Sequence, residues 1–329
     1  MSLIEFDDVA NFQRLTSDIP LLSASPQEWA AAAHVIVVED IIHYLWGRKK
    51  IDNRWEIMHS YAKVITPIEV QHDSQNPILV ATVDGFDNYG VEYPFPFHNP
   101  TDGGNYAYYL GQRTEKPRIK QTGLLSCGRD WSCLKRVSDD PVLGVSEEYE
   151  LHGSSHPSAV VVDDVIHIVY TAEAPRHVQT PGSLYNVPTI CYAKASACKP
   201  EKIEKSFSNP VFRGSGADWD RRGVREAEIL YDGTYFHLFY GGYDGKMWSI
   251  GHVRTTDFLS FDPNPNNPIF VPSVGSGNWD SDGLLTPQVF WLNGELYMIY
   301  AGLRGYNWGK TSEVSTGLAI AVGKGKKSK

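Results

Sequence analysis

Two histidines and three carboxylates, His34, Glu92, His156, Glu226 and Asp282, are the side chains in this sequence best suited to moving protons. A carboxyl group held away from water keeps its proton and acts as an acid. Imidazole, titrating near about 6.5, can give or take one near neutral pH. The same nitrogens and oxygens suit zinc or calcium, but no local ligand spacing such as HExxH accompanies them. No metal and no other cofactor is therefore expected. Arg221, Arg222 and Arg225, with Arg176 and Arg304 on loops, could pair their planar forks with a phosphate or a carboxylate, although surface pairing within a net-acidic protein is the plainer and preferred explanation. Trp46, Tyr243, Asp244 and Trp308 are further candidate substrate contacts, the aromatic ones as stacking surfaces.

These residues are dispersed, so whatever brings them together must be long-range and regular. Arg225 to Gly242, REAEILYDGTYFHLFYGG, reads as a hairpin with its turn at Asp232-Gly233. The same layout recurs at 156–172, 286–302, 33–47 and, more loosely, 93–111. Aligning the ends of the second strands places Trp46, Leu110, Tyr170, Tyr240 and Tyr300 in register, roughly 60 to 70 residues apart. A second repeat keeps step: IPLL, NPIL, DPVL, NPVF and NPIF at Pro20, Pro77, Pro141, Pro210 and Pro268. Units of about four strands that cannot bury both faces alone predict an all-β, five-bladed β-propeller.

The expected blades span about 29–80, 89–143, 152–212, 219–270 and 279–322 within a domain of 18–323, after an arm at 1–17 and before a basic tail at 324–329. A strand at 18–22 is expected to pair with 316–322 and close the ring. The Trp residues of GSGADWD, GSGNWD and SPQEW are expected to plug neighbouring sheets together. The variable loops after each second strand share one end with the starts of the innermost strands.

Composition fits this plan. The chain of 329 residues is 12% aromatic with 29 Gly and 20 Pro, which favours short strands and tight turns over long helices. A net charge of −9 excludes a basic nucleic-acid footprint, and no apolar run reaches membrane-spanning length. The first residues do not read as a signal peptide, so a cytoplasmic protein with a small-molecule substrate is expected, its oligomeric state open. Cys127, Cys133, Cys191 and Cys198 fit no metal pattern and are expected as buried free thiols.

The blade grammar of an acidic residue and Pro, an apolar strand, Asp-Gly or Asn-Gly and an aromatic strand resembles the five-bladed propeller glycosidases: the arabinanase and xylosidase, invertase and levansucrase, and mannoside phosphorylase groups. Segments such as VRTTDFLSFDPNPNNPIF (253–270) and LLSCGRDWSCLKRVSDDPVL (124–143) carry the likeness further. The resemblance implies carboxylates at the starts of the innermost strands, one acting as base or nucleophile and another as acid. Position by position, the family's Asp-Pro falls on Ala32-Ala33 beside His34, on Tyr93-Pro94 beside Glu92, on His156-Pro157, on Glu226-Ala227 after Arg225, and on Thr286-Pro287 after Asp282.

The first-blade acid of the family is thus missing, while Glu226 sits in the closest match to an acid motif. The resemblance implies a glycosidase-like enzyme using Glu226 and His156 for acid–base chemistry, assisted by Glu92 or Asp282, on a glycoside or related oxygenated small molecule. Two alternatives stay open: a repurposed propeller catalysing a cyclisation, elimination or isomerisation, and a propeller that binds sugar or a partner without turnover.

Overall fold

The computed structural model describes residues 3–25, 27–114, 119–173, 188–273, 275, 277–305 and 313–323. Among them are twenty strands and a single short 3-10 turn at Glu148–Glu150. No helix is long and apolar enough to cross a membrane.

After β1 (Phe12–Arg14), the strands fall into repeating groups. The first holds β2 (Trp29–Val38), β3 (Ile41–Lys49), β4 (Trp55–Lys63) and β5 (Gln71–His72). The second holds β6 (Gly90–Asn99), β7 (Gly104–Gln112), β8 (Lys120–Cys127) and β9 (Leu134–Arg136). The third holds β10 (Gly153–Val162), β11 (Val165–Glu173), β12 (Thr189–Ser196) and β13 (Glu204–Lys205). The fourth holds β14 (Val224–Tyr231), β15 (Phe236–Tyr243), β16 (Trp248–Thr255) and β17 (Asp262–Pro263). The fifth holds β18 (Gly283–Leu292), β19 (Glu295–Arg304) and β20 (Glu313–Ala321), with β1 as its fourth strand.

Each group is an antiparallel meander, but hydrogen bonding joins the second and third into one eight-stranded sheet. A single parallel pair, Gly153 with Lys120, makes that join. The sheets are therefore four rather than five.

The turns follow local chemistry. Asp163-Asp164 and Asn293-Gly294 both adopt positive φ at each residue, the geometry whose twist matches two-residue hairpins. At the Asp232-Gly233 turn the loop is four residues long, and the Asp232 carboxylate caps it by accepting the amides of Thr234 and Tyr235.

The Pro-containing repeat has a consistent outcome. Leu22, Leu79, Leu143, Phe212 and Phe270, each from one of its five copies, make an isolated bridge to the third strand of a group and are buried. Strand pairing at the N-terminus differs from expectation, because β20 pairs with Phe12–Arg14 inside the expected arm, and the 18–22 segment adds only the Leu22–Thr316 bridge. The register also shifts in the second group: Leu110 pairs opposite Glu92, so Tyr109 is the counterpart of Trp46, Tyr170, Tyr240 and Tyr300. Tyr109 was obscured by a run of three similar residues, Tyr108, Tyr109 and Leu110.

The apolar core lies between sheets. Separate clusters join the first group to the second, the second to the third, the third to the fourth, the fourth to the fifth and the fifth to the first. A sixth, including Ala32, Tyr93, Trp248 and Ala301, sits where the innermost strands approach one another. Trp219 and Trp279 act as plugs: a Cβ added at Gly251 would lie 2.1 Å from Trp219, and one at Gly302 would lie 2.3 Å from Trp279. Of the cysteines, Cys191 is buried and Cys127 half-buried, while Cys133 and Cys198 are exposed; all four are free thiols.

Candidate active site

All five innermost strands are interrupted at the same point. Pairing with the second strand slips between Ala31 and His34, Glu92 and Phe95, Ser155 and Ser158, Arg225 and Glu228, and Leu285 and Gln288. In each slip the first inserted residue has a left-handed φ: Ala32 at 53°, Tyr93 at 58°, His156 at 55°, Glu226 at 55° and Thr286 at 49°. This conformation is uncommon for residues other than glycine and is unfavourable for a β-branched one, so the surrounding strands must impose it. A bulge bends its strand and re-aims a side chain. Pro follows in three of the five, a position where a missing ladder donor is tolerated.

The bulges bring His156 and Glu226 together. Glu226 is 4% exposed; its Oε1 accepts from Arg225 Nη2 at 2.6 Å and lies 3.5 Å from His156 Nε2. Its Oε2 is buried and meets no side-chain donor among the described residues, while the Thr286 amide pulls this carboxyl group toward its ionised form. The amide of Glu226 donates to Thr171 Oγ1 at 2.8 Å, tying the bulge to the neighbouring group. His156 Nδ1 is 2.7 Å from Ser155 Oγ, which is 2.9 Å from Glu173 Oε1. Lys120 donates to the same Glu173 oxygen at 3.0 Å, and Arg225 stands 3.9 Å from it. Glu92 is buried with Gln112 donating to it, and the Tyr93 ring meets the His156 ring edge-on at 4.5 Å.

These surroundings divide the carboxyl groups. Burial raises the pKa of Glu226 against the opposing pull of Arg225 and Lys120, and burial likewise raises that of Glu92. Glu173 goes the other way: burial would raise it, but Lys120 and Arg225 together hold it down at about 2. His156 is pushed well below its ordinary value by burial and then by Arg225 and Lys120, so its imidazole is neutral.

Other sequence-derived candidates sit elsewhere. His34 lies behind the bulges, 1% exposed, with its ring against Tyr93 and Phe95 and its Nε2 3.8 Å from Glu228 Oε2. Burial lowers its pKa to about 3. Asp282 accepts the Gly305 amide at 2.6 Å and so shapes a loop. Trp46 is not at a rim: it is buried between the first and fifth groups and donates to Ser60 Oγ at 2.9 Å, because its side chain points into the inter-sheet core. Asp244 caps a turn by accepting the amides of Lys246 and Met247, and Arg304 pairs with Glu313. Tyr243 stacks on Trp248 at 4.8 Å, and the Arg225 guanidinium lies 5.7 Å from the Trp248 ring centre. Arg176 and Trp308 lie outside the described residues.

Sequence reasoning missed Ser155, Glu173, Lys120 and Glu228. Glu173 and Lys120 stand at strand ends that the sequence reading assigned to variable loops; antiparallel pairing of Gly153 with Glu173 and the parallel contact of Gly153 with Lys120 return both to the bulges. Glu228 follows Glu226 by two residues and, among the described residues, is buried without a Lys or Arg beside it. Among the described residues no group of three His, Cys, Asp or Glu is arranged to hold a metal ion. Two open cavities, of about 580 and 530 Å³, lie away from this cluster, one beside Phe86, Asp87 and Arg136 and the other beside Trp279 and Arg304.

Known proteins share this architecture. A solved structure described as a glycoside hydrolase superposes with a TM-score of 0.73 over 94% of this chain and 92% of its own, at 14% identity. The chain has the fold of the propeller glycoside hydrolases. A glycosyl hydrolase from Bacteroides ovatus superposes on the propeller at 0.69 over 97% and 96% of the two chains, at 11% identity. A structure from work on the GH130 family of mannoside phosphorylases, which contains glycoside hydrolases that target beta-1,2 mannosidic linkages in Candida mannan, superposes at 0.68 over 97% and 96%, at 12% identity. In sequence, the propeller is 26% identical over 105 residues to a beta-1,2-mannobiose phosphorylase of Thermoanaerobacter sp. (strain X514), a match covering 28% of this chain and 33% of that protein. No family model matches.

Proposed function

We propose that the chain is a five-bladed propeller, its ring closed by β1 on β20, that acts on a glycoside through proton donation by Glu226. The observation that carries this reading is the state of one carboxyl group. Glu226 is buried and raised in pKa, has one oxygen held by Arg225, and has the other without a side-chain partner among the described residues, at the point where the innermost strands converge. Oε2 is then the proton-bearing oxygen, and His156 Nε2 lies across from Oε1 to exchange a proton during turnover. The ionised Glu173 supplies negative charge nearby, which favours cationic character developing at the reacting carbon.

A specific observation favours a second reading. Of the five bulge residues only Glu226 is a carboxylate, and Ala32 occupies the place of the first-blade acid. A propeller short of that acid suits proton transfer without hydrolysis, in a cyclisation, elimination or isomerisation. Aryl glycosides and β-linked manno-oligosaccharides, each with and without inorganic phosphate, separate these readings. Turnover that disappears in Glu226→Gln, with an unchanged circular dichroism spectrum, supports glycoside cleavage by Glu226. Turnover that survives in the variant removes Glu226 from the mechanism, and silence of the intact enzyme across the panel favours the non-hydrolytic reading.

A further inference from the structure

His156 has two ring nitrogens, and its neighbours differ in what they can donate. On one side Ser155 Oγ lies 2.7 Å from Nδ1 and 2.9 Å from Glu173 Oε1, with the Thr171 carbonyl a longer alternative at 3.4 Å. An ionised carboxylate accepts only, so the single Ser155 proton goes to Glu173, and the hydroxyl must accept from Nδ1–H. On the other side Nε2 faces Glu226 Oε1 and Arg225 Nη2, both at 3.5 Å. Arg225 only donates, which suits a bare Nε2.

We propose that Glu173 and Ser155 are positioning residues that lock His156 in the Nδ1–H tautomer, leaving the Nε2 lone pair turned toward Glu226. The assignment deepens the reading of Glu226 as the proton donor and rests on it for its catalytic meaning, but the lock itself is a property of the resting protein. In the opposite tautomer Nε2–H would donate to Glu226 Oε1 and stabilise its ionised form, weakening it as a reservoir for a proton. The lock therefore keeps the acid an acid. Lys120 joins it from β8: its ammonium on Glu173 keeps that carboxylate ionised and hence obliged to accept. The other titratable or charged groups facing this cluster are Arg225 on β14, Glu92 and Tyr93 on β6 and His34 on β2. None of them contacts His156 Nδ1, which Ser155 covers.

The test needs no substrate. Nitrogen-15 shifts of the His156 ring in the intact protein at neutral pH should show Nδ1 protonated and Nε2 bare, and the reverse assignment overturns the proposal. Carbon-13 titration of the Glu226 carboxyl should show its pKa falling by about one unit in Ser155→Ala, where Nδ1 loses its 2.7 Å acceptor and keeps only the Glu173 oxygen at 3.7 Å, and returning in Ser155→Thr, which keeps the hydroxyl. A Glu226 titration unmoved in Ser155→Ala also overturns it. Should Ser155→Ala fail to fold, the ring spectrum of the intact protein still decides. A confirmed lock alongside fully active Glu226→Gln would sink the functional reading and leave the lock standing.

Discussion

Glu226 and Glu228 are two residues apart on β14, are 4% and 3% exposed, and both carry raised pKa values caused first by burial. Each also has a neutral histidine within 4 Å and a buried Oε2 with no side-chain hydrogen-bond partner among the described residues, so their company differs chiefly in the cation. Glu226 lies in the bulge with Arg225 on one oxygen and His156 opposite. Glu228, where strand pairing resumes opposite Phe239, has Gln288 as a hydrogen-bonding neighbour and the neutral His34 at 3.8 Å. Burial alone thus raises the pKa of a carboxyl group. What distinguishes a proton donor is a cation added to the base, so that the group can lose its proton and recover it.

The comparison breaks most severely if the cation is taken away. Arg225→Met should leave Glu226 in the situation of Glu228, with a still higher pKa, and should expose Glu173 to the loss of a second cation. Stability should drop by about 3 to 5 kcal/mol, the usual cost of stripping one partner from a buried pair, and turnover should drop with it. Denaturant titration and kcat together check this; an unchanged kcat would mean the pair is not part of the chemistry.

Damage to the sheet that carries both carboxyl groups should not discriminate between them. In Gly251→Ala the new methyl would meet Trp219 at 2.1 Å, and the strain of overpacking should cost about 1 to 3 kcal/mol. Thermal unfolding should register the loss, while kcat measured well below the transition stays near that of the intact protein. A fall in kcat with unchanged stability would show that Trp219 acts on the site rather than on packing.

A smaller effect sharpens the contrast from the side of Glu228. Its folded pKa is raised, so above about 4.5 the unfolded chain loses a proton that the native state keeps, and stability declines as pH rises toward the folded value. Glu228→Gln removes that dependence. The variant should match the intact protein near pH 4.5 and exceed it in unfolding free energy by about 1 kcal/mol or more at pH 8. A variant less stable at pH 8 would mean that the carboxyl group is ionised and paired after all.

Much of the fold was readable because it depends on local periodicity. Alternating apolar residues, two-residue turns and a Pro-containing bridge recur often enough to mark each repeating unit. Expectation failed where local signals are degenerate: the Tyr108-Tyr109-Leu110 run allowed a one-residue slip, and Phe12–Arg14 lacks the Pro motif that pointed to Leu22. The site was half legible. His156 and Glu226 stood out because each begins a bulge dipeptide. Ser155, Glu173 and Lys120 did not, because their roles depend on which strand ends meet across the sheet join. Trp46 misled because an aromatic at the end of a strand reads the same whether it faces solvent or a neighbouring sheet.

The most direct test of the central claim is turnover in Glu226→Gln and Glu228→Gln measured side by side on the same glycoside. The account predicts a loss of about 10²- to 10⁴-fold in kcat for Glu226→Gln, as expected when a general acid is removed, and near-normal kcat for Glu228→Gln. Equal losses in the two variants, or the greater loss in Glu228→Gln, would contradict it.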